Sequence, residues 1–424
     1  MESEEKKQIG SFNNERTRRY IIYLILFMGM IAIMDQYLSI IKITSIDYIL
    51  REYAITESQF SWWEAIYFIP TFFIFLLNGL TDIIGRKFSI LVLILLMGIP
   101  SLCIVFFTPS LHLFMIFYAI TIFATVSNMW AIPISEESPA LKRGKFVSIV
   151  YVIGLLPLTA ILPPLVVPHL GWRWMYGVMF LLMIPTLILW FFMKETKRYE
   201  DIKEERKLGL KKKHMFGLGV INKTDLRYII FSAVIWMCWL IVQLLTLWAG
   251  HYFTTILFPE LPASVALTRW SMVLLSFIIS MMVGGISGGW MMDKIGRKTG
   301  LLVGCFGLAI SLAVMGLVPR ILFASVTVFT GFFISFSYSW IVVYIPEIFP
   351  TERRGTCMGW TTTVARVSYI LGPVIAAILL GAFPSMEWFW LTAGLIMIIP
   401  IVVVFLFHPY ETKTKELEEI EVNR

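Results

Sequence analysis

Apolar residues fall along this chain in blocks of about 20, separated by short polar or charged segments. A block of 18 or more crosses a hydrocarbon core of roughly 30 Å as a helix. The alternating ten-residue segments of a membrane barrel are not visible. Backbone groups in lipid must be satisfied within their own segment, which leaves helices. The pattern predicts twelve spans. The first six cover about 20–44, 60–78, 88–107, 111–134, 146–167 and 172–193. The second six cover about 228–250, 267–287, 299–318, 321–345, 357–381 and 386–407. The division expected is a tail over 1–19, a six-helix bundle over 20–193, a middle loop over 194–227, a second bundle over 228–407 and a tail over 408–424.

Composition agrees: 58% of the 424 residues are hydrophobic and only 15% charged, with a mean hydropathy of +0.79. A soluble domain carries about 25% charged residues, and one this apolar would expose large greasy patches. The net charge of +7 raises nucleic acid as a partner. The placement of the charges argues against it. With the N-terminus in the cytoplasm, 29 of the 35 Lys and Arg fall in cytoplasmic loops and tails. That asymmetry is the positive-inside rule, and it puts both termini in the cytoplasm. Lys42, Arg51, Arg173, Arg269 and Arg320 fall on or near the other face, and Arg366 alone sits deep in a span. The middle loop carries Lys211, Lys212 and Lys213, either a solvated linker or a contact for anionic lipid heads. Cys103, Cys238, Cys305 and Cys357 show no disulfide or metal spacing and read as small apolar residues. The first 19 residues are charged and Tyr20 opens a full-length span, so no cleavable signal peptide is expected.

The two halves repeat. Gly79, Asp82, Gly85, Arg86 and Lys87 follow span two, while Asp293, Gly296, Arg297 and Lys298 follow span eight, with the two aspartates 211 residues apart. Glu136, Pro139, Arg143 and Gly144 follow span four, and Glu347, Pro350, Arg354 and Gly355 follow span ten at the same 211 offset. Glycines here permit a tight turn and close helix approach. The carboxylates can pair with the arginines or cap neighbouring helices, Asp82 with Arg143 and Glu136 with Arg86 or Arg143. The set either fixes topology alone or acts as latches that hold the cytoplasmic side closed in one conformation.

These residues resemble the major facilitator superfamily, whose loop signature is G-x-x-x-D-x-x-G-R-K/R. The signature is complete after span two, and the second copy matches if Gly289 takes the first glycine's place. Pro346 to Pro350 with Arg354-Gly355, and the Glu-Thr-Lys runs at 195–197 and 411–413, look like the sugar porter and organic-ion branches. The resemblance implies an all-α membrane protein of two pseudo-symmetric six-helix bundles with alternating access around a mid-membrane site. Spans one, four, seven and ten would line a central cavity, and two, five, eight and eleven would frame the interface. It also implies a multi-pass protein of the plasma or inner membrane that works as a monomer among lipids, driven by a proton gradient with no cofactor.

An ionisable residue inside a span is costly and points to function. Asp35 in span one lies roughly 22 Å up its helix at 1.5 Å per residue. Proton-coupled members often carry a carboxylate in this stretch. Proton coupling, substrate contact and structural pairing all remain open for it. Glu64 in span two lies at similar depth as a second proton site, a partner for Arg366, or a hydrated group near the outer face. Arg366 in span eleven looks like the arginine of the organic-anion and aromatic-acid branches. Its fork suits a carboxylate, though it can also pair with Asp35 or Glu64. Neutral candidates for solute contact are Tyr37, Asn128, Tyr151, Gln243, Tyr338 and Trp340; for any one of them, packing against lipid or a neighbouring helix competes. Sugar porters often place an arginine in span four, and here that span has Tyr118 and Asn128 but no Arg or Lys.

The function expected is secondary transport of a small organic solute, an organic anion above all, coupled to protons. A sugar or polyol porter, a drug or cation efflux antiporter, and a transport-inactive sensor are the alternatives. No nucleophile–base pair, metal cluster or phosphate-cradling loop suggests an enzyme.

Overall fold

The computed structural model describes residues 17–127, 129–138, 143–197, 199–200, 203–204, 221–349, 354–383 and 385–413. Asn128, Lys211, Lys212 and Lys213 lie outside the described residues, as do the surroundings of Gly79 and the side chains of Asp82, Arg143 and Arg354.

Span one is α1 (Arg18–Ile40), which runs on through Ile41 into α2 (Lys42–Tyr53). Span two is α3 (Glu57–Tyr67), a 3₁₀ turn over Ile69–Phe73 and α4 (Ile74–Ile84). Pro70 sits in that turn and lacks the N–H a continuous helix needs. Span three is α5 (Arg86–Phe106). Span four is split into α6 (Leu111–Ala124) and α7 (Ala131–Glu137). Then come α8 (Arg143–Gly154), α9 (Leu158–Leu170) and α10 (Trp174–Phe192).

The second half opens with α11 (Lys223–Thr246), prolonged by a short turn at Ala249–His251 and a π-helical turn at Tyr252–Leu257. It continues with α12 (Ala263–Ile295), α13 (Arg297–Met315) and α14 (Phe323–Ile348). Span eleven is α15 (Arg354–Ala365) and α16 (Ser368–Ala382), and span twelve is α17 (Glu387–Ile396) and α18 (Ile398–Phe407). Eleven helical stretches among the described residues are long and apolar enough to cross a membrane. Span four falls short only because it is broken.

The outer surface is apolar, with Phe191, Leu317, Ile321 and Leu406 among its most exposed side chains; lipid, and not water, suits such a face. In the first half α1 lies on α8 and α10, and α5 on α6 and α10. In the second half α12 and α13 lie on α14, and α11 on α15 and α16. Small residues let these helices approach. A Cβ on Gly284 would sit 2.1 Å from the Phe332 carbonyl oxygen of α14. Gly284→Ala should therefore destabilise the second half by at least about 1–3 kcal/mol, the usual cost of overpacking. A thermal unfolding scan of the purified protein checks this, and an unchanged midpoint would contradict the contact.

The repeated loops form two equivalent clamps. The chain turns at Gly85 and at Gly296, each at φ 99°, where a side chain would be strained. Glu195 accepts the Arg86 N–H at 2.9 Å, and Glu411 accepts the Arg297 N–H at 2.9 Å. Each carboxylate thereby caps the start of a helix, where the dipole favours negative charge. Arg86 pairs with Glu136 at 2.9 Å and Arg297 with Glu347 at 2.8 Å. Thr196 donates to Glu136 at 2.6 Å and Thr412 to Glu347 at 2.5 Å. Asp293 adds a 2.9 Å contact to Arg297. Every one of these bonds closes within its own half. In this state these bonds brace the loops of each bundle.

Candidate functional site

The two halves meet most extensively at the end opposite the clamps, while nearer the clamps α4 lies on α15, with Phe75 stacked on Trp360 at 6.2 Å. At the opposite end α3 lies on α16, α9 on α12, and α2 on the turn at Ala249–His251. A Cβ on Gly250 would stand 1.8 Å from the Ile43 carbonyl oxygen. Polar bonds cross the same seam. His251 Nδ1 contacts Asp47 at 2.6 Å and its Nε2 lies 3.3 Å from Glu57. Thr254 donates to the second Asp47 oxygen, and Ser58 donates to the Ala377 carbonyl at 2.7 Å. The far end is thus sealed by backbone contact and by a His–carboxylate cluster. A lone histidine near a span end gave no sign of this in the sequence.

Just beneath the seal, Lys42 and Glu64 form a buried ion pair at 2.5 Å. The Lys42 ammonium lies 5.2 Å from the Phe60 ring and 5.0 Å from the Trp248 ring of the other half, within cation–π range. This decides among the alternatives left open for Glu64: the cation beside it is Lys42 and not Arg366, and Lys42, expected on or near the other face, is buried there. A buried carboxylate needs a countercharge, and α2 supplies one 22 residues away.

At mid-depth the interruption of span four organises the site. The backbone leaves the α6 helix at Thr125 and takes a φ of 54° at Val126. A β-branched residue in that region is an outlier and persists only when its surroundings hold it. Asp35 holds it from one side: Oδ1 accepts the Val126 N–H at 2.6 Å and Oδ2 accepts the Trp130 indole N–H at 3.0 Å. Arg366 holds it from the other side. Its guanidinium donates to the carbonyls of Thr125, Phe123 (3.2 Å) and, in α3–α4, Thr71 (3.4 Å). The cation suits the negative end of α6. Asp35 and Arg366 are both buried, and they form no direct ion pair; each engages a different side of the same broken helix.

Arg366 is the unusual group. Its partners are carbonyl oxygens and the face of Tyr369, 5.4 Å away. No carboxylate contacts it among the described residues, and its Nε has no acceptor at all. Discontinuous helices whose ends face the bundle interior are where carriers bind solutes and ions. Irregular backbone at this depth is tolerated where protein or a cavity satisfies it.

The neutral candidates divide. Tyr151 and Tyr338 stack across the halves with centroids 5.9 Å apart, and Trp239 flanks Tyr338 at 4.7 Å. Tyr37 instead donates to the Met175 carbonyl at 2.7 Å, inside the first half. Trp340 stacks on Tyr344 at 4.7 Å, inside the second. Those two are held by their own bundles, so the structure gives them packing roles in this state. Gln243 is half-buried in α11.

Comparison with known proteins gives a consistent answer. The sequence profile of the Major Facilitator Superfamily matches residues 25–266 and 250–423. The chain is 26% identical over 357 residues to the putative niacin/nicotinamide transporter NiaP of Bacillus subtilis, covering 81% of this chain and 84% of that one. It is 27% identical over 381 residues to the glucose transporter GlcP of Staphylococcus epidermidis, covering 81% and 83%. The xylose transporter XylE of E. coli, solved in an inward open conformation, superimposes with a TM-score of 0.71 at 18% identity, covering 95% of this chain and 99% of that one.

Proposed function

Because the chain belongs to the major facilitator superfamily, we propose that it carries a small organic anion together with a proton, with Arg366 as the anion site and Asp35 as the proton site. The coarser statement needs no proposal: this is a multi-pass cell-membrane transporter of small solutes, not an enzyme. The observation that carries the anion reading is Arg366, a buried cation that among the described residues has no carboxylate partner and no acceptor at Nε. A planar fork in a dry site recognises a carboxylate well. The likeness to a putative niacin/nicotinamide transporter supports the reading through niacin, an aromatic acid, while nicotinamide is its neutral amide.

Charge bookkeeping supports the proton. In the empty site the negative Asp35 and positive Arg366 balance, and Lys42 and Glu64 balance each other. An incoming monoanion would leave one uncompensated charge in the membrane, which is costly. Protonation of Asp35 restores neutrality, so the empty and the loaded carrier both cross with a neutral core. Glu64 already compensates Lys42, which leaves the proton to Asp35. The positive-inside rule puts the clamp end in the cytoplasm. The sealed far end then faces out, and Tyr151 and Tyr338 lie between the site and the cytoplasm.

Asp35→Asn should abolish anion accumulation driven by a pH gradient in proteoliposomes. It should leave exchange of labelled for unlabelled anion running, because the neutral site is permanently formed. Gradient-driven accumulation at the original level would remove Asp35 from the coupling. A sugar porter is the second reading, favoured by the likeness to GlcP and by the Tyr151–Tyr338 ring pair; transport of glucose in place of benzoate or nicotinate would decide for it.

A further inference from the structure

A cleft of about 240 Å³ opens at the far end, beside the seal. One wall is α2, with Thr44, Asp47 and Arg51; the other comes from the second half, with Thr254, Leu267 and Trp270. Two of its polar atoms are buried and unpartnered. Among the described residues the indole N–H of Trp270, which is 1% exposed, has no acceptor, and the hydroxyl of Thr44, which is 6% exposed, has no partner. A buried donor without an acceptor is costly, so the cleft is short of an acceptor. Arg51 is exposed beside these groups and makes no ion pair or hydrogen bond among the described residues. Asp47 is not a competing free charge, because His251 and Thr254 occupy its two oxygens. The remaining lining sets the apolar side chains of Leu261, Ala266 and Leu267 beside Tyr48 and Thr255.

We propose that this cleft binds a small monocarboxylate with an apolar body, and that its occupation holds the carrier closed at the far end. Arg51 and the Trp270 N–H take the carboxylate, and the aliphatic wall takes the body. The volume admits a single aromatic ring with its acid group. The site is separate from Arg366, which lies deeper and on span eleven. Its walls belong to different halves, so it exists only while the far end is sealed. A ligand that binds only one of two states shifts the equilibrium toward it by a factor of 1 + L/Kd, where L is its free concentration. External carboxylate would then slow reopening, a brake distinct from competition at the deep site.

The test reads opening directly. Ser61 on α3 is fully buried on the helix that faces α16. Ser61→Cys in intact cells should react with an impermeant maleimide only when the far end opens. The chain with its native cysteines sets the background, and Ser61→Cys combined with Gly250→Ala sets the open-state ceiling. External benzoate should slow labelling by about tenfold or more at saturation, and benzamide, which is neutral, should not. Arg51→Gln and Trp270→Phe should each raise the benzoate needed by about tenfold. Arg366→Lys should leave the protection intact, so the cleft survives even if the deep site is not an anion site. Absence of protection in the parent chain, equal protection by benzamide, or unchanged protection in Arg51→Gln would each overturn the proposal. Protection lost in Arg366→Lys but kept in Arg51→Gln would also overturn it, by assigning benzoate to the deep site.

Discussion

Gly250→Ala should leave a folded, membrane-inserted protein whose transport falls by about 100-fold, the factor that a shift of about 3 kcal/mol in a two-state equilibrium produces. The added methyl would stand 1.8 Å from the Ile43 carbonyl oxygen. Backbone faces backbone there, so no side chain can rotate away. The clash is relieved only by moving α2 from the extension of α11, which is the opening of the far end. Overpacking usually costs about 1–3 kcal/mol, and opposed main chains put this case at the upper end. The open state carries no such clash, so the substitution acts on the equilibrium and leaves each bundle stable. Ser61→Cys labelling should rise together with the fall in transport. Wild-type transport by Gly250→Ala would mean that this approach is not part of the cycle. Gly284→Ala provides the contrast: its clash lies within one half, so it should lower thermal stability without the labelling change.

Arg366→Ala should weaken binding of a carboxylate solute by about 100-fold or more, since losing one member of a buried charge pair costs about 2–5 kcal/mol. It also leaves the carbonyls of Phe123 and Thr125 without their donor. Arg366→Lys separates the two effects. It keeps the charge and one carbonyl contact but loses the fork, so binding should recover only in part. Equilibrium binding of labelled benzoate or nicotinate to the purified protein measures both variants, and a monodisperse elution profile shows that each is folded. Ordinary affinity in Arg366→Ala would end the anion reading. Retained uptake of glucose by the same variant would replace it with the sugar reading.

The spans were legible because lipid imposes a one-dimensional rule: a run of sufficient apolar length crosses. The duplication was legible because its glycines, acids and arginines keep their spacing. The break in span four was not. Thr125, Val126 and Ser127 look like any stretch of small residues, and the positive φ of Val126 is decided by Asp35, 91 residues earlier. The partner of Lys42 was hidden for the same reason: nothing in the sequence says that Glu64, 22 residues later, is brought against it. Arg366 was picked out by its depth and by its resemblance to the arginine of the organic-anion branches, whereas its bonds to main-chain carbonyls follow from the break. Asp47, Glu57 and His251 are ordinary at span ends, and only the closure of the two halves makes them a cluster.

The two clamps also bear on how the protein is made. Each is finished by residues at the end of its own half: Glu195 and Thr196 in the first, Glu411 and Thr412 in the second. A ribosome that has emitted residue 196 has delivered every part the first clamp needs, before any of the second bundle exists. Chains are synthesised N-terminus first at about 5–20 residues per second, so the first bundle has several seconds or more to close on itself before the second is complete. The two halves should then be able to mature as separate polypeptides, cut in the middle loop and brought together afterwards by the seam around Gly250.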